Sequence, residues 1–91
     1  MEFEIKYKEF VFTGALNGVT RKKATQIIEH YGGRVKGGMS GFVDYLIVGD
    51  KPGIKLQKAK YHPFVRIIQQ KEFFKDERIS EFLSKEELES I

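Results

Sequence analysis

Cysteine is absent from these 91 residues, which excludes disulfide staples, thiolate metal sites and cysteine nucleophiles together. No apolar run approaches the roughly 20 residues needed to cross a bilayer. The opening residues, Met1-Glu2-Phe3-Glu4-Ile5-Lys6, alternate in polarity and do not read as a signal peptide. Histidine occurs twice, at His30 and His62, far apart and without acidic neighbours at metal-ligand spacing. Both read as structural or surface groups, so no metal is expected. Nucleophile motifs are missing as well. Ser40 lies in a glycine-rich loop without a base, and neither a G-x-S-x-G elbow nor a phosphate-loop pattern occurs. Gly37-Gly38 belongs to no dinucleotide fingerprint, and Glu86, Glu87 and Glu89 make a helical face rather than a catalytic pair. These exclusions predict a chain that is not an enzyme and needs no cofactor.

What is present suffices for one small core. Hydrophobic residues make up 41% of the chain and aromatics 13%, so disorder is not expected, and the length leaves no room for a second core. The net charge of +3 is uneven. Residues 1–60 carry eleven Lys/Arg against six Asp/Glu, or +5, whereas residues 61–91 carry five against seven, or −2. An anionic partner is therefore expected on the first part, with nucleic acid as the default candidate.

The most informative stretch is Phe10-Val11-Phe12-Thr13-Gly14, followed seven residues on by Arg21-Lys22-Lys23. A buried strand runs into a hydroxyl-plus-glycine turn, and the next helix opens on three cations after the N-cap Thr20. Cations at a helix N-terminus oppose the dipole by roughly 0.3–1 kcal/mol each. Their presence makes sense if an anion, foremost a phosphate, shares the free N–H groups at that end. Lys55, at a second helix start, repeats the pattern.

Strand and helix signals alternate along the chain. Lys8–Phe12 reads as a strand. The helix from Thr20 to about Tyr31 has Ala24, Ile27, Ile28 and Tyr31 on one face and Gly32-Gly33 as its stop. Strands are predicted at 34–37, 43–48 and 64–68, the last placing Phe64 in the core. Helices are predicted at 54–61 and 70–75, with Phe73 and Phe74 core-facing. Ser84-Lys85-Glu86-Glu87 is a capping-box pattern for a last helix, 84–90. The order β-α-β-β-α-β-α with apolar strands points to an α/β fold: a parallel sheet covered on both faces. In such sheets ligands bind beyond the carboxyl ends of the strands, where Thr13, Gly14 and the Lys55 helix start meet.

On these residues the chain resembles a BRCT domain. The marks are the FVFTGAL start, the Arg21-x-x-Ala24 step, Gly32-Gly33, the strand Asp44-Tyr45-Leu46-Ile47-Val48-Gly49, and Gly53-x-Lys55-x-x-Lys58-Ala59. Each is weak alone; their order and spacing are jointly specific. The resemblance covers about residues 8–75 of a single domain spanning 1–91, with a C-terminal helical extension over about 76–91. It is strongest to the BRCT subgroup of bacterial NAD-dependent DNA ligases, the replication factor C large subunit and some bacterial replicative exonucleases. It implies a four-stranded parallel sheet of order 2-1-3-4 flanked by three helices, the first and third on one face and the second on the other.

The resemblance also implies a phosphate pocket. Thr13 would supply its hydroxyl, Gly14 its N–H, Arg21 a guanidinium and Lys55 an ammonium. Apart from the resemblance, Lys22, Lys23 and Lys58 are secondary candidates for contacts to neighbouring DNA phosphates, each against the plainer reading of a solubilising surface charge. Two departures stand out. No tryptophan occupies the last core helix, where Phe73 takes the position, and Ser40-Gly41-Phe42-Val43 replaces polar or basic residues before the third strand. The expected function is a non-catalytic module binding the 5′-phosphate of a DNA end or nick in replication or repair. The competing expectation is a protein-interaction module, although phosphopeptide specificity in the family typically uses a groove between two tandem domains. Phe42 and Phe64 would stack on bases if exposed. A cytoplasmic, nucleoid-associated location is expected in a bacterium and a nuclear one in a eukaryote.

Overall fold

The computed structural model describes residues 2–91. Strand β1 (Glu9–Thr13) is followed by helix α1 (Arg21–His30), β2 (Arg34–Lys36), β3 (Tyr45–Val48), α2 (Ile54–Ala59) and β4 (Arg66–Gln69). Helices α3 (Gln70–Lys75), α4 (Glu77–Ser80) and α5 (Lys85–Ser90) complete the chain. The strands form one parallel sheet in the order β2-β1-β3-β4, the predicted topology. Alternate side chains of each strand enter opposite layers, which is why the central strands β1 and β3 are buried nearly throughout, whereas the edge strands β2 and β4 carry exposed polar residues. Phe10, Phe12, Tyr45, Ile47 and Ile68 pack with Ala24, Ile27 and Ile28 of α1 and Phe73 and Phe74 of α3. Val11, Leu46 and Val48 face the other way, onto Ala59 and Leu56 of α2. No helix among the described residues is long and apolar enough to cross a membrane.

Local chemistry sets the ends of α1. The Thr20 hydroxyl accepts the Lys23 N–H at 3.0 Å. At the far end Gly32 adopts φ +85°, the Gly32 N–H donates to the Glu29 carbonyl, and the Gly33 N–H donates to the Ile28 carbonyl. That pair of bonds is a Schellman motif, and its left-handed residue is the one that glycine occupies without strain. The capping box of α5 forms as read, with Ser84 and Glu87 exchanging backbone and side-chain bonds.

Phe64 corrects the sequence reading. It is 91% exposed, because β4 begins only at Arg66. The Val65 N–H donates to the His62 carbonyl and closes a turn with Pro63 and Phe64 at its centre. Proline fixes the first central position of such a turn, which swings the next side chain outward.

The core also reaches beyond residues 8–75. Phe3, Ile5 and Ile79 are buried in the cluster beneath α1 and α3. Arg78 ties the two ends of the chain: its guanidinium donates to the Phe3 carbonyl at 2.6 Å, lies over the Phe3 ring, and is held by both carboxylate oxygens of Asp76. The side-chain bonds from Arg78 hold the Asp76 carboxyl below its ordinary value, against the opposing effect of burial. A depressed carboxyl stabilises the fold fully above its unfolded value of about 4 and loses that contribution as pH falls through the folded value. Asp76→Asn, which keeps a capping oxygen, should therefore lower the thermal midpoint at pH 7. The gap to wild type should narrow steadily below about pH 4; a constant gap would refute this account.

Candidate phosphate site

Beyond Thr13 the chain turns at Gly14, whose φ is +78°. A Cβ there would lie 2.4 Å from the Asp50 carbonyl oxygen, and one on Gly49 would lie 2.3 Å from that of Ala15. Both contacts are impossible for a side chain, so these two glycines let the segments after β1 and β3 press together. Ala15 and Asp50 then exchange two backbone hydrogen bonds of 2.8 Å each. The strand-ending glycines were legible as turns, whereas this close pairing was not.

Thr13 is 3% exposed and lies at the floor of the turn. Its hydroxyl oxygen accepts the Gly53 N–H at 3.1 Å, fastening the start of α2 to the end of β1. With the oxygen accepting that bond, the hydroxyl hydrogen is left as the group's donor. The Gly14 N–H donates to no backbone acceptor among the described residues. These are the two neutral donors that the family resemblance implies for a phosphate.

The two cations converge on this turn from opposite faces of the sheet. Arg21, the first residue of α1, donates from Nη2 to the Gly14 carbonyl at 2.8 Å. Lys55, in the first turn of α2, donates from Nζ to the Phe12 carbonyl at 3.1 Å. Phe12 and Gly14 flank Thr13, so guanidinium and ammonium stand on either side of it. Burial and, second, repulsion from Arg21 push the Lys55 ammonium below the ordinary lysine value. Neither cation forms a salt bridge among the described residues. Holding two uncompensated positive charges together costs energy that a bound anion would offset.

The secondary cations divide. Lys22 and Lys58 are exposed on α1 and α2. Lys23 instead faces α5, with Nζ 2.6 Å from Glu87 Oε1. The sequence offers Lys23 as a DNA contact, but α5 packs beside α1 and brings a carboxylate to it. The helix-start and capping-box signals were each legible; their pairing, 64 residues apart, was not.

This architecture, a 2-1-3-4 parallel sheet with a cationic turn at its carboxyl rim, defines a small α/β domain. The sequence model of the BRCA1 C Terminus (BRCT) domain family matches residues 5–87, and the chain belongs to that family. Among characterised proteins it is similar to the DNA ligase of Sulfurihydrogenibium azorense, 52% identical over 66 residues, covering 72% of this chain and 9% of the ligase. The DNA ligase of Natronomonas pharaonis is 44% identical over 64 residues, covering 70% and 9%. The chain thus spans about a tenth of the length of these relatives. Among solved structures, the C-terminal BRCT domain of human XRCC1 superposes with a TM-score of 0.66 at 17% identity, covering 96% of this chain and 91% of that one. That likeness concerns the fold.

Proposed function

We propose that the chain is a non-catalytic DNA-binding module whose pocket of Thr13, Gly14, Arg21 and Lys55 receives the 5′-phosphate of a DNA end or nick. The observation that carries this reading is the convergence of Arg21 and Lys55, without a carboxylate partner, around the Thr13–Gly14 turn. A terminal phosphate carries about −1.5 to −2 at neutral pH, against −1 for an internal phosphodiester. Two cations and two neutral donors in one small pocket favour the more charged group. The forked guanidinium engages two oxygens, and the ammonium adds a point charge. Such a site discriminates by charge and shape and reads no base sequence.

Similarity to DNA ligases supports a replication or repair setting, with the module acting within or beside an enzyme that works on nicked DNA. On this reading the module would work, in a bacterium, in the cytoplasm on nucleoid DNA, with replication or repair proteins as further partners. Lys22 and Lys58 would add contacts to neighbouring phosphates.

The test is a paired titration of one duplex carrying either a 5′-phosphate or a 5′-hydroxyl. The phosphorylated duplex should bind more tightly, and log affinity should fall with log salt at a slope of about −0.9 per neutralised phosphate. Equal affinities for the two ends would overturn the proposal.

A further inference from the structure

Among the described residues two polar side chains are buried, those of Thr13 and Gln70. Thr13 lies in the phosphate pocket. Gln70, only 6% exposed, is the first residue of α3 and follows β4 directly, which puts it at the same carboxyl rim of the sheet. An amide side chain taken out of water is costly unless it is hydrogen-bonded, and an apolar residue would fill such a position without that cost. The bond that Gln70 makes spans 53 residues of sequence: its Oε1 accepts the Asn17 N–H at 2.9 Å.

Asn17 lies near the middle of the loop, residues 15–20, that joins β1 to α1. Both ends of that loop are pocket residues, Gly14 before it and Arg21 after it, and the Arg21 guanidinium closes the loop on the Gly14 carbonyl. The loop contains no helix or strand of its own, so tertiary contacts must hold it. Ala15 pairs with Asp50, and Asn17 is bound by Gln70. Gly18, at φ +73°, abuts α5 so closely that a Cβ on it would lie 2.5 Å from that of Ser90. Of these anchors, only Gln70 reaches the loop with a buried side chain.

Resting on the pocket reading above, we infer that Gln70 is a positioning residue for the phosphate site. Its amide oxygen fixes the β1–α1 loop, so that the Gly14 N–H and the Arg21 guanidinium are set for one anion before the anion arrives. A loop ordered in advance loses little freedom on binding, and affinity rises without a new contact. Gln70 acts through Asn17 and not on the ligand.

The test returns to the paired duplexes with a 5′-phosphate or a 5′-hydroxyl. Gln70→Met keeps the length of the side chain and removes the acceptor. It should lose about fivefold of the preference for the phosphate, the cost of ordering the loop at the moment of binding. Affinity for the 5′-hydroxyl duplex should stay at the wild-type value, because no charge has changed. Hydrogen exchange without DNA gives a second readout: the Asn17 amide should be protected in the wild-type domain, exposed in Gln70→Met, and protected again in Gln70→Glu, which retains an acceptor. Phe73→Leu is the control for stability alone. It weakens the same helix at a core position, so it should lower the thermal midpoint and leave the preference intact. A wild-type preference in Gln70→Met, an equal loss of preference in Phe73→Leu, or free exchange of the Asn17 amide in the wild-type domain would each overturn the role of Gln70 and leave the pocket standing. No preference in the wild-type domain would remove the pocket itself, and the role of Gln70 with it.

Discussion

Changing Arg21 to Ala and Lys55 to Met together should abolish the preference for a 5′-phosphorylated duplex while leaving the domain folded. Hydrogen bonds to a charged group contribute about 1.5–3 kcal/mol each, so either change alone should lower affinity by roughly one to two orders of magnitude. The two should not add simply, since both groups face one anion and repel each other in its absence. Methionine retains the stem of Lys55; removing a charge disfavoured by burial and by Arg21 offsets the lost bond to the Phe12 carbonyl, so the thermal midpoint should change little. A variant that melts normally and still prefers the phosphorylated end would refute the pocket.

Proton linkage supplies a second readout of the same site. In the free domain the Lys55 ammonium titrates below the ordinary lysine range. A bound dianion favours the charged form, so binding takes up a proton at alkaline pH, and affinity should fall as pH rises through the depressed value. On the acid side affinity should fall below about pH 6, where the phosphate monoester gains its proton. Lys55→Arg should keep the acid limb and lose the alkaline one.

The second large effect concerns the fold. Phe73 is fully buried and touches the rings of Phe3, Phe10, Phe12 and Phe74, with centroids 5.6, 6.3, 6.3 and 5.1 Å away. Phe73→Ala should cost about 3–5 kcal/mol, the range for emptying a buried aromatic position. Domains of this kind have about 5–15 kcal/mol in total, so the variant should be marginal at 25 °C and unfold in little urea. Phe73→Leu should recover much of the loss. A loss below about 1 kcal/mol for the alanine variant would mean that the aromatic cluster does not organise the core. Phe12 joins the two predictions, because its ring packs on Phe73 while its carbonyl accepts from Lys55.

Much of this was readable before any coordinates, for local reasons. The spacing of Ala24, Ile27 and Ile28 and the stop at Gly32-Gly33 delimit α1 through contacts within three or four residues. Gln70–Lys75 and the Ser84/Glu87 box were legible in the same way. The uninterrupted apolar stretch before Gly49 implied a strand covered on both faces, and it is buried at every position. The sequence thereby determined the elements other than α4, their order and the residue types at the carboxyl rim. Tertiary structure alone decided which distant groups meet. Lys55 reaches a carbonyl 43 residues away, and Lys23 turns to a carboxylate 64 residues away. Phe64 is turned into solvent by a tight turn at Pro63, though its composition suited a buried strand. Short-range periodicity specifies which face a side chain presents; only the packing of helices on the ordered sheet specifies what stands opposite that face.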